Sequence, residues 1–241
     1  MSETDLIHRA LDAARVDPDV FALRPDYRVA LLAFDGIEPR PSDESSDALL
    51  REAEAFARRA LSEQPVEELS HVAAWREAYR AFGAKPQRTR NSLEALLRRA
   101  EAGLPRVNRL TDIYNAVSVL HQVPLGGEDL TRYRGAPRLV RATGEERFDT
   151  VAAGEPVIEH PERGEVVWRD DEGVTCRRWN WRQGRRTQLT DDTTTALFIL
   201  DVLHPFSDDA LRSAADDLVA RLTRLGPEVR VARRVIGSST D

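Results

Sequence analysis

Residues 176–189, CRRWNWRQGRRTQL, hold two tryptophans two positions apart, five arginines and no acid, in a chain of formal net charge −6. Side chains alternate between the two faces of a strand. An extended segment here therefore sets Trp179 and Trp181 on one face and Arg178, Asn180 and Arg182 on the other. Two uses fit. In one, an ordinary strand buries its indoles and leaves its arginines in water, as burial preferences favour. In the other, the segment floors a pocket for an anionic or polar ligand, with the arginines meeting charge and Asn180 supplying hydrogen bonds.

Other chemistries find no residues to carry them. The histidines His8, His71, His121, His160 and His204 are scattered, and none stands at metal-ligand spacing from a cysteine or carboxylate. Phosphate-loop, dinucleotide and nucleophile-elbow patterns are absent from the sequence. Neither a metal nor a cofactor is expected, and covalent catalysis and nucleotide hydrolysis have no support. Cys176 is the single cysteine, which excludes an internal disulfide and reads as a small buried side chain. No apolar run approaches the ~20 residues a membrane helix needs. The opening MSETDLIHRALDAARV lacks the basic and apolar regions of a signal peptide, so a cytoplasmic protein is expected.

Charge is unevenly spread. Residues 1–70 carry 16 acids against 8 arginines, whereas residues 71–110 carry 9 bases against 3 acids. Segments 132–147 and 177–186 are also basic. If folding gathers the basic segments at 85–109 and 132–141 on one face, they focus positive potential suited to a phosphate-bearing partner.

The elements that must position these residues follow from periodicity and caps. Helices are expected at 3–16, at 42–63 with acids loaded at the dipole-favoured start, and at 66–82, where His71, Trp75 and Tyr79 form a packing row. Asn91 and Glu94 make a capping-box start to a helix that Gly103 and Pro105 end, and a further helix runs from Thr111 to His121 into a Pro-Gly-Gly turn. Residues 27–37 form a buried strand. After residue 130 the period changes to two, with strand candidates at 136–142, 155–160, 164–170, 174–182 and 193–203. A capped helix at 207–224, a strand at 228–236 and a loose end at 237–241 close the chain. Helices before and after a run of strands give an α+β (mixed α/β) class, a central mixed sheet flanked by helices in layers. With no repeat or linker, a single domain over 1–241 is expected.

The stretch NSLEALLRRAEAGLPRVNRLTDIYNAVSVLHQVPLGGEDL, 91–130, resembles the B3/B4 domain, the tRNA-editing domain of the bacterial phenylalanyl-tRNA synthetase β subunit. Asn108, Asp112 and Asn115 fall on the pattern's Asn, Asp and Asn, and Pro124, Asp129 and Leu130 on its Pro, Asp and Leu. Farther on, DDTTTALFILDVLHP puts Thr193 on the family's Thr and Pro205 on its Pro. The resemblance is strongest over 90–205, and residues 207–236 add the C-terminal helix and strand. Gly126 stands where the family has a histidine, and the region around Arg182 to Thr187 replaces its glutamate-bearing segment, so tyrosine specificity does not carry over.

What the resemblance implies is hydrolysis of the ester of a mischarged aminoacyl-tRNA, with a pocket placing water and no metal or covalent nucleophile. Asn108, Asn115 and Asn180 would position the reacting groups, and Gly126 and Gly127 would allow close backbone approach. Glu128, Trp179, Trp181 and Thr193 would contact the substrate, while Arg178 and Arg182 met the ribose-phosphate of the aminoacylated 3′ end. The same scaffold would also serve as a non-catalytic RNA-binding module or as a binder of a free amino acid.

Overall fold

The computed structural model describes residues 3–238; of the loose end expected at 237–241, residues 239–241 lie outside them. The helices are α1 (Glu3–Ala13), α2 (Pro18–Leu23), α3 (Glu44–Glu63), α4 (Ser70–Ala81), α5 (Ser92–Arg99), α6 (Arg109–His121) and α7 (Asp208–Leu222). The strands are β1 (Arg15–Val16), β2 (Arg28–Asp35), β3 (Leu125–Asp129), β4 (Arg138–Arg141), β5 (Phe148–Ala152) and β6 (Glu155–Glu159). They continue as β7 (Val166–Arg169), β8 (Val174–Arg177), β9 (Arg182–Gln183), β10 (Ala196–Val202) and β11 (Arg230–Gly237).

Local chemistry sets the helix starts. Asp43 accepts from the Ser46 backbone N–H at 2.8 Å while the Ser46 hydroxyl accepts from the Asp43 N–H at 3.1 Å, a reciprocal cap on α3. Asn91 caps α5 through the Glu94 N–H at 2.9 Å. The expected box is only half made there, because the Glu94 carboxylate turns to Arg76 and Arg98 instead. Ser207 caps α7 through the Ala210 N–H at 3.1 Å. The row on α4 does pack: Trp75 Nε1–H donates to His71 Nε2 at 3.1 Å, and all three members are buried.

The α+β class holds, but the strands divide between two main sheets. β11-β2-β10-β3 is antiparallel throughout. The order β1-β4-β7-β8-β9 makes a mixed sheet, parallel only between β1 and β4, and β5–β6 stand apart as a hairpin. The strands of 27–37 and 137–203 therefore do not all share one sheet: β10 pairs with β2, whereas β4, β7, β8 and β9 lie in the other sheet. Alternation fixes which side chains face together along a strand, not which strands pair.

β10 shows why the first sheet is apolar on both faces. Phe198, Leu200 and Val202 join a core built with α3, α5, α6 and α7. Leu197 and Ile199, on the opposite face, join a second core with α1, α4, Leu139 of β4 and Trp168 of β7. The layers are thus helices, four-stranded sheet, then five-stranded sheet. Two expectations fail locally. Residues 125–129 form a strand and not a turn, because a Cβ on Gly127 would lie 2.8 Å from Phe198 and Leu189, and the missing side chain lets β3 lie flat against them. Residues 178–181 are a turn and not the middle of a strand.

Candidate functional site

That turn builds one wall of a cavity of about 260 Å³ between the two sheets and the helices α5 and α6. Arg178 and Trp179 both take left-handed backbone, φ 48° and 68°. The Trp179 N–H donates to Val166 O at 2.7 Å, Trp181 N–H to Arg177 O at 3.1 Å, and Ser92 N–H of α5 to Asn180 O at 3.0 Å, which hold the reversal in place. Trp179 is driven inward against Tyr27 and Trp75, with ring centroids at 5.0 and 5.2 Å. Arg178 swings out to Thr89 and lies over the Trp181 ring at 4.6 Å.

The four-stranded sheet supplies the acidic wall. Glu128 lies opposite Leu197, and Gly126 opposite Ile199, across the β3–β10 pair. Glu128, Gly126, Ile199 and Asp201 therefore share one face, the face toward the cavity. Asp201 accepts from Tyr27 Oη at 2.6 Å and from Asn180 Nδ2 at 3.4 Å. Burial pushes its carboxyl up to about 7 against these hydrogen bonds. Trp168 lowers it slightly from alongside, although its indole N–H makes no hydrogen bond of normal geometry. Glu128 accepts from the Tyr133 hydroxyl on Oε2, and burial raises it to about 7 as well.

Eight buried side-chain N and O atoms among the described residues lack a hydrogen-bond partner. Four of them, Ser92 Oγ, Glu128 Oε1, Trp168 Nε1 and Trp179 Nε1, belong to residues lining this cavity. Buried polar atoms are ordinarily satisfied, so half of the chain's described exceptions stand around this one cavity. Leu96, Tyr114, Leu125 and Ile199 supply apolar wall, and Asn115, Gln183, Arg99 and Arg182 add polar and charged side chains.

The model of the B3/4 domain family matches residues 74–224, more than half of the chain and all of the cavity lining. The chain belongs to the B3/4 domain family. A crystal structure of an N-terminal fragment of the phenylalanyl-tRNA synthetase β-subunit from Pyrococcus horikoshii is similar, with a TM-score of 0.44 and 13% identity. It covers 94% of this chain and 54% of that one, so this chain spans about half the length of that fragment. No curated protein matches the chain.

Within this B3/4 domain, Asn115, Gly126, Glu128, Trp179, Asn180, Trp181 and Arg182 line the cavity. Four expected site residues do not. Asn108 is the cap of α6, its side chain accepting from the Thr111 N–H at 2.8 Å. Gly127 faces the helical core. Thr193 donates to Asp129 at 3.0 Å and accepts from the Thr190 N–H, fixing the loop before β10. Arg178 is taken up by Thr89, Glu165 and the Trp181 ring. The sequence reading missed Asp201, Ser92, Tyr114, Trp168 and Gln183. Asp201 carried a visible signal, a lone carboxylate inside the apolar strand ALFILDV. The others became visible only when α5, α6, β7 and β9 met.

The charge expectations divide similarly. Arg98, Arg106 and Arg109 spend their charge on Glu94, Glu54 and Asp43. Lys85, Arg88 and Arg99 form no ion pair among the described residues, and of these Arg99 lines the cavity. No described helix is long and apolar enough to cross a membrane.

Proposed function

We propose that this B3/4 domain hydrolyses the ester of an aminoacyl group carried on the 3′ end of a tRNA. The observation that carries the reading is the cluster of four unsatisfied polar atoms in one aromatic-walled cavity, beside Asn115, whose side-chain amide makes no hydrogen bond among the described residues. The cavity would hold the aminoacyl group against the tryptophans, with Arg99 and Arg182 turned to the ribose-phosphate. Asn115 and the backbone at Gly126 would place a water against the ester carbonyl. Indole N–H groups would meet the oxyanion, stabilisation that preorganised donors provide at little reorganisation cost. The water's oxygen adds to the carbonyl carbon, the carbon–ribose oxygen bond breaks, and the proton the water loses ends on the departing ribose oxygen. No covalent enzyme intermediate is needed.

A panel of charged tRNAs tests this. Release of at least one amino acid above the spontaneous rate supports it, and tRNA binding with no release across the panel supports the alternative, a non-catalytic binder, which Gly126 in place of the family's histidine favours.

A further inference from the structure

This chain neutralises most of its buried acids with arginine. Asp35 pairs with Arg230, Glu54 with Arg106, Glu94 with Arg76 at 2.8 Å, Glu165 with Arg177 at 2.8 Å and Asp170 with Arg186 at 2.7 Å. Asp112 and Asp129 pair with no arginine among the described residues, but backbone N–H groups and hydroxyls tie them down: Val107 and Ser46 for the first, Thr131 and Thr193 for the second. Glu128 and Asp201 differ. They are 1% and 2% exposed, form no ion pair among the described residues, and line the same cavity from one face of one sheet. Asp201 has both oxygens engaged by neutral donors, whereas Glu128 keeps Oε1 empty.

A buried carboxylate without a cation is costly, and the cost is removed by protonation or by a counter-charge. An arginine-rich chain that supplies that counter-charge to most of its other buried acids, and withholds it where two acids face a cavity, leaves the place for a ligand's charge. We infer that the cavity takes a protonated primary amine, its ammonium against the empty Oε1 of Glu128 and its carbon body against Trp168, Trp179 and Tyr114. A neutral hydroxyl would fill one lone pair and leave the charge uncompensated. A carboxylate would be repelled. Aromatic walls add to the preference, because ring faces attract cations.

The inference rests on the aminoacyl-ester reading for the source of the amine, which is either the α-ammonium common to all aminoacyl groups or the end of a basic side chain. Calorimetric titration of the full chain with three amides that resist hydrolysis separates these. The probes are L-phenylalaninamide, N-acetyl-L-phenylalaninamide and Nα-acetyl-L-lysinamide. The expected result is that one of the two amines binds about tenfold or more tighter than the neutral acetylated phenylalaninamide, as a charged hydrogen bond in a desolvated site warrants. Preference for phenylalaninamide assigns the α-ammonium, and preference for acetyl-lysinamide assigns the side chain. Glu128→Gln should erase the advantage, and if that variant does not fold the comparison on the native chain decides alone. Equal binding of the three, or no binding of either amine at millimolar concentration, overturns the inference. A protein that deacylates tRNA but treats the probes alike would overturn this inference and leave ester hydrolysis standing; amine preference without deacylation would do the reverse.

Discussion

Asn180 bridges two buried groups that the chain brings from far apart: its Oδ1 accepts from Tyr79 Oη at 3.0 Å and its Nδ2 donates to Asp201 at 3.4 Å. The residue is therefore structural as well as a cavity wall. Asn180→Ala strips a partner from both neighbours, and an unsatisfied buried group costs about 1–3 kcal/mol. The variant is expected to unfold at lower urea concentration than the parent, by that amount. An unchanged midpoint would contradict the bridge.

Trp179 is fully buried between Tyr27 and Trp75. Trp179→Ala is expected to lose about 3–5 kcal/mol, the usual range for truncating a large buried aromatic. Denaturant titration checks this, and the parent should melt in one transition if both cores belong to one domain. A loss below about 1 kcal/mol would mean the neighbours collapse into the space.

Burial raises both Glu128 and Asp201 to about 7, so the folded chain holds protons there that the unfolded chain has already released. Stability from these groups is full below the ordinary carboxylate range and falls as pH rises toward 7. His71 opposes them: burial lowers it to about 4, so its contribution is lost as pH falls below 6.5. Comparing the parent with Glu128→Gln isolates one acid from that background. Tyr133 and Thr175 face Glu128 most closely, with Asp170 and Arg186 acting as more distant charges. The parent's stability relative to the variant should decline between pH 5 and 7, by up to about 1.4 kcal/mol per pH unit. A flat difference would show that the carboxyl is ionised throughout.

Arg99 and Arg182 line the cavity beside its polar groups, and Arg99 forms no ion pair among the described residues. If they meet phosphate, Arg99→Glu with Arg182→Glu weakens tRNA binding whatever the tRNA, and the salt slope of the affinity shrinks by about two counterions. Filter binding across a salt series reads both. Arg98→Glu is the poorer choice, since it also breaks the pair with buried Glu94 at 3.0 Å.

Much of this was legible in the residues, and the failures have physical causes. α5 and α7 announce themselves by caps, α3 and α6 by apolar spacing, and β2 and β10 by unbroken apolar runs. The turn at 178–181 does not. Alternating Trp and Arg fits a strand, and nothing in an arginine or a tryptophan signals φ of 48° or 68°, a region few such residues occupy. The error mattered, because it set Trp179 and Asn180 on opposite faces when both line the same cavity. Asn108 was misplaced for a related reason: an asparagine three residues before a helical N–H suits a cap as well as a site. Glu128 and Asp201 needed the β3–β10 register before they could be seen as a pair.

Single-turnover deacylation of a charged-tRNA panel measures ester hydrolysis in this cavity directly. Asn115 lines the cavity with its side-chain amide free of hydrogen bonds among the described residues, so Asn115→Ala should leave the melting temperature unchanged. The parent chain is expected to release at least one amino acid faster than the spontaneous rate, and Asn115→Ala to slow this release about 10²-fold, the effect of losing one transition-state hydrogen bond. Release at the spontaneous rate for every tRNA, or equal rates for parent and Asn115→Ala, would contradict it.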